Sequence, residues 1–336
     1  MKTIKFLFKR YFIDAMGAMA LGLFSSLIIG LIISQIAKIP YLDFLSQLTT
    51  VVAASSPVVG SAIGVAIAWG MKTKPLVIFT SAVTGAVGYV AGGPVGAYIG
   101  AVVGAEVGNL VAGKTKVDIV ITPMVTILSG GIVGILAGPY ISALMTSLGS
   151  FVNDATELNP IPMGIIVAVV VGLVLTAPIS SAALCIMINI SGIAAGAAAV
   201  GCCCQMVGFA VASYKDNGFG GLLSQGLGTS MLQFPNIMKK PTIWIAPTLA
   251  SAILGPISTV VLGMTNTSYG AGMGTSGLVG QFGALEAMGE SMSMPIFLIQ
   301  ILIMHFIAPA ALTLAFDFIL RKIGWIKTGD MKLYQV

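Results

Sequence analysis

The chain reads as long apolar runs separated by short polar breaks. Uncharged stretches cover 15–37, 44–71, 75–105, 119–153, 158–214, 217–238, 241–285 and 291–316. A helix needs about 20 apolar residues to cross a hydrocarbon core about 30 Å thick, so every run is long enough to span. The 158–214 run holds two spans, split near Asn189-Ile190-Ser191-Gly192, and 75–113 holds two more, broken at Gly92-Gly93-Pro94. The 241–285 run fits one span plus a shorter Gly-rich element. The pattern predicts an all-α polytopic membrane protein with ten transmembrane helices and re-entrant or broken Gly-rich segments. It forms one transmembrane domain over 1–336, ending in a short cytoplasmic tail, 323–336.

Composition agrees with that class. Hydrophobic residues make up 57% of the chain and charged residues 8%, against about 25% charged in soluble domains. A soluble enzyme, a coiled coil, a disordered chain and a secreted disulfide scaffold are excluded. The net charge of +5 does not imply a nucleic-acid partner, because Lys and Arg collect in cytoplasmic loops of membrane proteins. With both termini cytoplasmic, 14 of the 16 basic residues fall inside, and only Lys38 and Lys215 fall outside. Lys2, Lys5, Lys9 and Arg10 precede the 15–37 run, with no small-residue cleavage site after it. No cleavable leader is therefore expected.

A repeat is visible at an offset of 124 residues. Lys116-Val-Asp-Ile119-Val-Ile121-Thr-Pro123 aligns with Lys240-Pro-Thr-Ile243-Trp-Ile245-Ala-Pro247, and Gly96 and Gly104 align with Gly220 and Gly228. Halves of 11–152 and 161–322 follow. Transporters often carry such repeats, with substrate near the midplane between them.

The polar residues within the apolar runs are few. Asn217–Asn236 is rich in Gly, Ser, Thr, Gln and Asn, and its Gly226-Leu-Gly228-Thr229-Ser230 recurs as Gly272-Met-Gly274-Thr275-Ser276. Gln233 follows the first copy and Gln281 the second. Irregular backbone at membrane depth is tolerated only where protein buries it or where it lines a wet cavity. The two copies therefore predict paired discontinuous segments around one site, tight turns and helix caps being the structural alternative. Candidate substrate ligands are Asn217, Gln225, Thr229, Ser230, Gln233, Asn236, Thr275, Ser276, Gln281, Glu286 and His305. Uncharged hydroxyls and amides suit a sugar or another neutral polar solute, which needs donors and acceptors but no counter-charge.

Glu286 is a carboxylate at membrane depth, a functional candidate by its cost. His305 either contacts substrate or Glu286, or bonds a neighbouring helix. Glu106 suits a structural polar contact. Glycines every fourth residue from Gly88 to Gly108 make either a pore-lining face or a close-packing one. Cys185, Cys202, Cys203 and Cys204 read as buried thiols, since consecutive helical positions do not converge on one ion. Trp244, Trp325 and Tyr334 read as interfacial anchors. No phosphate-binding loop, zinc motif or nucleophile–His–acid set occurs, so no catalytic residue, metal or cofactor is expected.

The run Asn217–Asn236, the segment Lys240–Pro256 and Gly270-Ala-Gly-Met-Gly-Thr-Ser-Gly-Leu-Val-Gly-Gln281 resemble the type-2 EIIC family. That family belongs to the bacterial phosphoenolpyruvate-dependent sugar phosphotransferase system and includes proteins labelled perfringolysin O regulator protein. The resemblance implies a homodimeric permease of the bacterial cell membrane that moves a sugar inward for phosphorylation by separate IIA and IIB proteins. It also implies a Glu and a His at the sugar. Gly283-Ala-Leu-Glu286 matches the family Gly-x-x-Glu pattern loosely, lacking the Pro that usually follows, and His305 comes after the Glu rather than before it. Two other readings stand beside this one: a stand-alone secondary transporter or channel for a small polar or anionic solute, and a membrane sensor that regulates gene expression. The predicted orientation has a direct check. A membrane-impermeant amine reagent should modify Lys239 from the cytoplasmic side only, and modification from outside would overturn the topology.

Overall fold

The computed structural model describes residues 6–37, 41–53, 56–177 and 180–333. They are helical, with no strand among the described residues beyond an isolated bridge between Gly192 and Asn266. Lys38 and Tyr334 lie outside them. Among the described residues, five helical stretches are, by length and composition, apolar enough to cross a membrane: Pro75–Val111, Asp118–Leu158, Gly192–Ala212, Pro241–Val261 and Met294–Lys322. Pro57–Gly70 and Pro160–Thr176 are shorter apolar helices. The chain folds as two compact units, Met1–Ser147 and Leu148–Val336.

In the first unit, glycine sets the packing distance. Helix α1 (Met16–Leu23) meets α2 (Pro57–Gly70) where a Cβ on Gly22 would strike the Ala62–Ile63 backbone. Helix α3 (Pro75–Val111) is interrupted where predicted. Gly92 and Gly93 leave helical geometry, Gly93 at φ 60° and ψ −151°, and Pro94 starts the second limb. That conformation is open to glycine and strained for other residues. The limbs fold back on each other. Cβ atoms on Gly88 and Gly96 would each collide with the other's carbonyl, and the Lys74 backbone N–H donates to Asn109 Oδ1 at 3.3 Å. Helix α4 (Asp118–Leu158) closes against the second limb, with Gly130 near Gly100 and Gly104. The four-residue glycine stripe is thus a packing face. Glu106 accepts from Arg10 Nε and, at 3.1 Å, from Tyr11 OH, which gives this carboxylate a structural partner.

The second unit is built around α7 (Gly192–Ala212), the most enclosed of the five long stretches. It follows α5 (Pro160–Thr176) and α6 (Ser181–Met187). The split near Asn189–Gly192 stands, and α7 starts at Gly192. The preceding 160–187 stretch, predicted as a span, instead turns back. Gly172 packs on Gly201, and Thr176 reaches Gln205, so α5 runs parallel to α7. Chain direction then requires α6 to return to the end where α5 began. Asn153 there hydrogen-bonds Ser191, and Thr259 Oγ1 donates to the Pro160 carbonyl at 2.7 Å.

The predicted span 217–238 also fails to cross. It comprises α8 (Tyr214–Leu223), a π-turn, a 3-10 turn and α9 (Phe234–Lys239). Asn217 and Asn236, near its two ends, both bond the backbone of residues 331–332, so the segment enters and leaves at one end of the unit. Lys215 therefore shares that end with Lys240 and Arg321, whose Nη2 donates to the Ala212 carbonyl. Gly218 takes φ 61° and ψ −158°, nearly the conformation of Gly93, close to the repeat offset. The longer helices that follow are α10 (Ile245–Pro256), α11 (Val279–Met288), α12 (Met294–Leu302) and α13 (Ala308–Lys322).

Gly96→Val should lower thermal stability in detergent by an overpacking cost of about 1–3 kcal/mol or more, because its Cβ meets backbone rather than a movable side chain. Gly17→Ala, at a position with open space, should leave the melting temperature nearly unchanged. Equal effects would contradict the hairpin.

Candidate functional site

Three broken segments send their tips into the middle of the second unit. The first tip is formed by Thr176, at the end of α5, and Ser181, at the start of α6. The second is Gly226–Ser230, entering from the Ala212 end of α7. The third is Gly272–Leu278, which comes from the Gly192 end, where the Asn266 N–H donates to the Gly192 carbonyl at 3.1 Å. Left-handed backbone at Gly274, Gly277 and Leu278 (φ 54°, 53° and 60°) makes the third turn, and α11 leads away from it. Asn266 Nδ2 ties the two limbs by donating to the Gly280 carbonyl at 2.9 Å.

The tips bond one another. Thr275 Oγ1 donates to the Gly226 carbonyl and Ser276 Oγ to the Gly228 carbonyl, at 2.5 and 2.8 Å. Ser181 Oγ donates to the Gly272 carbonyl at 2.6 Å, and the Thr176 and Ser230 hydroxyls lie 2.8 Å apart. The two Gly-x-Gly-Thr-Ser copies therefore meet, the second supplying donors and the first acceptors. Thr229 Oγ1 caps the turn by accepting from the Met231 N–H at 3.1 Å. Gly228, Gly277 and Leu278 are exposed, and Thr229 and Ser276 are half-buried, so the tip cluster has an open side.

Gln205, fully buried on α7, anchors this cluster. Its Oε1 accepts from Trp244 Nε1 at 3.0 Å and from Thr176 Oγ1 at 3.3 Å, while its Nε2 donates to Thr248 Oγ1 at 3.3 Å. Thr176, Ser181, Gln205 and Thr248 were not among the sequence candidates. The available signal was Thr176-Ala-Pro-Ile-Ser-Ser181, a small polar stretch with Pro inside an apolar run. Trp244, read as an interfacial anchor, directs its N–H inward to Gln205.

The other candidates separate into two groups. Gln225, Gln233 and Asn236 bond one another in a row, and Asn217, Gln233 and Asn236 bond the backbone at Met331–Leu333. Gln281 Nε2 pairs with His305 Nδ1 at 2.8 Å and also contacts Cys203 Sγ. His305 is buried in a π-helical turn, Ile303–Ile307, so it takes the neighbouring-helix role. Gln281 Oε1 is buried without a protein partner, an acceptor that a hydroxyl-bearing molecule can satisfy. Glu286 is exposed on α11 and accepts from Tyr269 OH across the limbs of the third segment. The four cysteines are buried free thiols.

Comparison with protein families gives a match over residues 13–333 to the family described as Phosphotransferase system, EIIC. The chain belongs to this family. Comparisons with curated proteins and with solved structures find no match. As an EIIC protein it is a multi-pass membrane component of the sugar-transporting phosphotransferase system, and its tip cluster is a polar, uncharged centre in an apolar unit. The EIIC match runs through both compact units, and includes all three tips and the residues beyond α13.

Thr176→Val keeps the shape of the side chain and removes the hydroxyl linking Gln205 to Ser230. It should cost about 1–3 kcal/mol, the usual penalty for stranding buried polar partners, read as a lower unfolding temperature of the purified protein. Unchanged stability would mean that the Thr176 hydroxyl does not join the first tip to the second.

Proposed function

We propose that this EIIC protein is the permease subunit that binds a sugar or another neutral polar solute at the meeting of its three tips, and presents it to a separate IIB protein for phosphorylation. The observation carrying this reading is the convergence of three broken segments in an otherwise apolar unit, where Thr176 meets Ser230, and Thr275 and Ser276 bond the carbonyls of Gly226 and Gly228, just before Thr229. Breaking three helices at depth exposes backbone groups that hydrocarbon cannot satisfy, an arrangement suited to a polar passage. The cluster carries hydroxyls, amides and carbonyls but no formal charge. That chemistry supports a neutral ligand, held by several hydrogen bonds rather than by a counter-ion.

The hydroxyls now engaged between tips are the groups a sugar would compete for. Ser276, half-buried at the open side, can release Gly228 and donate to a ligand oxygen. Thr229 stands beside it. Gln281 Oε1 offers a further acceptor near the third tip. Glu286, exposed and bonded to Tyr269, acts in holding the third segment together. In this reading the phosphoryl group comes from a separate IIB protein.

Isothermal titration of the purified protein against a panel of sugars, polyols and small carboxylates tests this. A neutral polyhydroxyl compound should bind, and Ser276→Ala should weaken it by about tenfold, one hydrogen bond's worth of affinity. Binding of a carboxylate or an amino acid, with no sugar bound, would replace this reading with that of a stand-alone transporter.

A further inference from the structure

The residues after α13 are not a loose end. Thr242 Oγ1 donates to the Trp325 carbonyl at 3.1 Å, and Ile326 and Met331 are buried beside Phe209, Ile237, Ile243 and Leu320. Asp216 accepts from the Gly329 and Met331 N–H groups, at 2.9 and 3.3 Å. Asn217 grips both edges of the chain, donating to the Met331 carbonyl at 2.9 Å and accepting from the Leu333 N–H at 2.8 Å. Lys240 Nζ meets Asp330 Oδ2 at 2.7 Å. Partial burial raises the Asp330 carboxyl, but Lys240, the Lys327 N–H and the Lys327 charge outweigh it and hold the group below the usual carboxylate range.

These bonds continue inward. Asn236 Nδ2 donates to the Lys332 carbonyl at 3.0 Å and to Gln233 Oε1 at 2.9 Å. Gln233 Nε2 donates to the Met331 carbonyl and to Gln225 Oε1, at 2.9 and 2.8 Å. Gln225 Nε2 reaches Ser213 Oγ and the Gly221 carbonyl, at 2.8 and 2.9 Å. Gln225 is covalently next to Gly226, whose carbonyl receives Thr275. A chain of side-chain amides therefore runs from the C-terminal segment to the contact between the second and third tips.

We propose that residues 323–333 are a strap that latches the second broken segment, so that releasing the strap frees the Gly226–Ser230 tip and opens the cluster toward the end of the unit carrying Lys215, Lys240 and Arg321. The device is suited to release. Beyond Ile326, whose N–H still bonds the end of α13, the strap is held by one buried side chain, Met331, one ion pair and side-chain hydrogen bonds to its backbone. Each such bond contributes modestly on balance because water can replace it at an end of the unit. The gating half rests on the permease reading above; the latching half does not.

Hydrogen exchange by mass spectrometry tests the latch in the full chain and in a chain ending at Ile323. Removing the strap should speed amide exchange at least tenfold in 214–239 and raise it at the third tip, leaving α5 and α6 unchanged. A synthetic peptide of residues 324–336 should restore protection. Unchanged exchange in 214–239, or an equal rise throughout the second unit, overturns the proposal. Should the truncated chain not fold, the double variant Asn217→Leu, Asn236→Leu serves with the same expectation. For the gate, a cysteine placed by Thr229→Cys should react at least fivefold faster with an impermeant maleimide in inverted vesicles once the strap is released. The native thiols are buried. Faster exchange without faster labelling overturns the gate. A failure to bind any sugar would overturn the permease reading alone, since neither readout needs a ligand.

Discussion

Everything in the second unit follows from one constraint: backbone taken out of helix inside an apolar unit needs a partner within the protein. Helix ends at Thr176 and restarts at Ser181, breaks again at Gly226–Ser230 and at Gly272–Leu278, and each tip supplies what another lacks. Hydroxyls of Ser181, Thr275 and Ser276 cover carbonyls of Gly272, Gly226 and Gly228. Gln205, on the central helix, joins Thr176 to Trp244 and Thr248. No tip is fully satisfied alone, so the breaks hold one another in place, and a polar centre arises without a single formal charge.

Close approach makes this possible. Without a hydrophobic drive between helices in lipid, packing rests on small residues that bring backbones together. Gly201 on α7 lies against Ala168 and Gly172 of α5, and Gly255 of α10 lies against Gly164. These contacts set the level at which the α5 tip meets Gln205. The first unit uses the same device at Gly88 and Gly96. Gly93 and Gly218 break their helices in nearly the same conformation, so a similar local solution ends one limb in each unit.

Several features were legible in the sequence. The scarcity of charge gave the membrane class, Gly92-Gly93-Pro94 marked a true break, and the duplicated Gly-x-Gly-Thr-Ser motif marked two segments that do meet. Hydropathy misassigned 217–238 and 160–187, because a run that enters and turns back is as apolar as one that crosses. Lys215 was placed opposite Lys240 for that reason. Asn217, Gln225, Gln233 and Asn236 looked like ligands for a solute, yet their bonds run to the strap. An amide's residue type says that it wants a donor and an acceptor, not which chain segment provides them. Thr176 and Gln205 escaped notice because an isolated Thr or Gln in an apolar helix has no motif around it.

Reading along the chain alone establishes that it belongs in a membrane, that charge within its apolar runs is scarce, and where its helices are weakest. Those properties are local: they follow from transfer free energies and from the backbone freedom of glycine and proline. The fold adds which breaks face one another, which amides serve the strap, and which end of the unit Lys215 occupies. Partner choice for a buried polar group depends on residues far away in the chain brought within 3 Å or so, as with Asn217 and Met331, and no pattern of spacing records that.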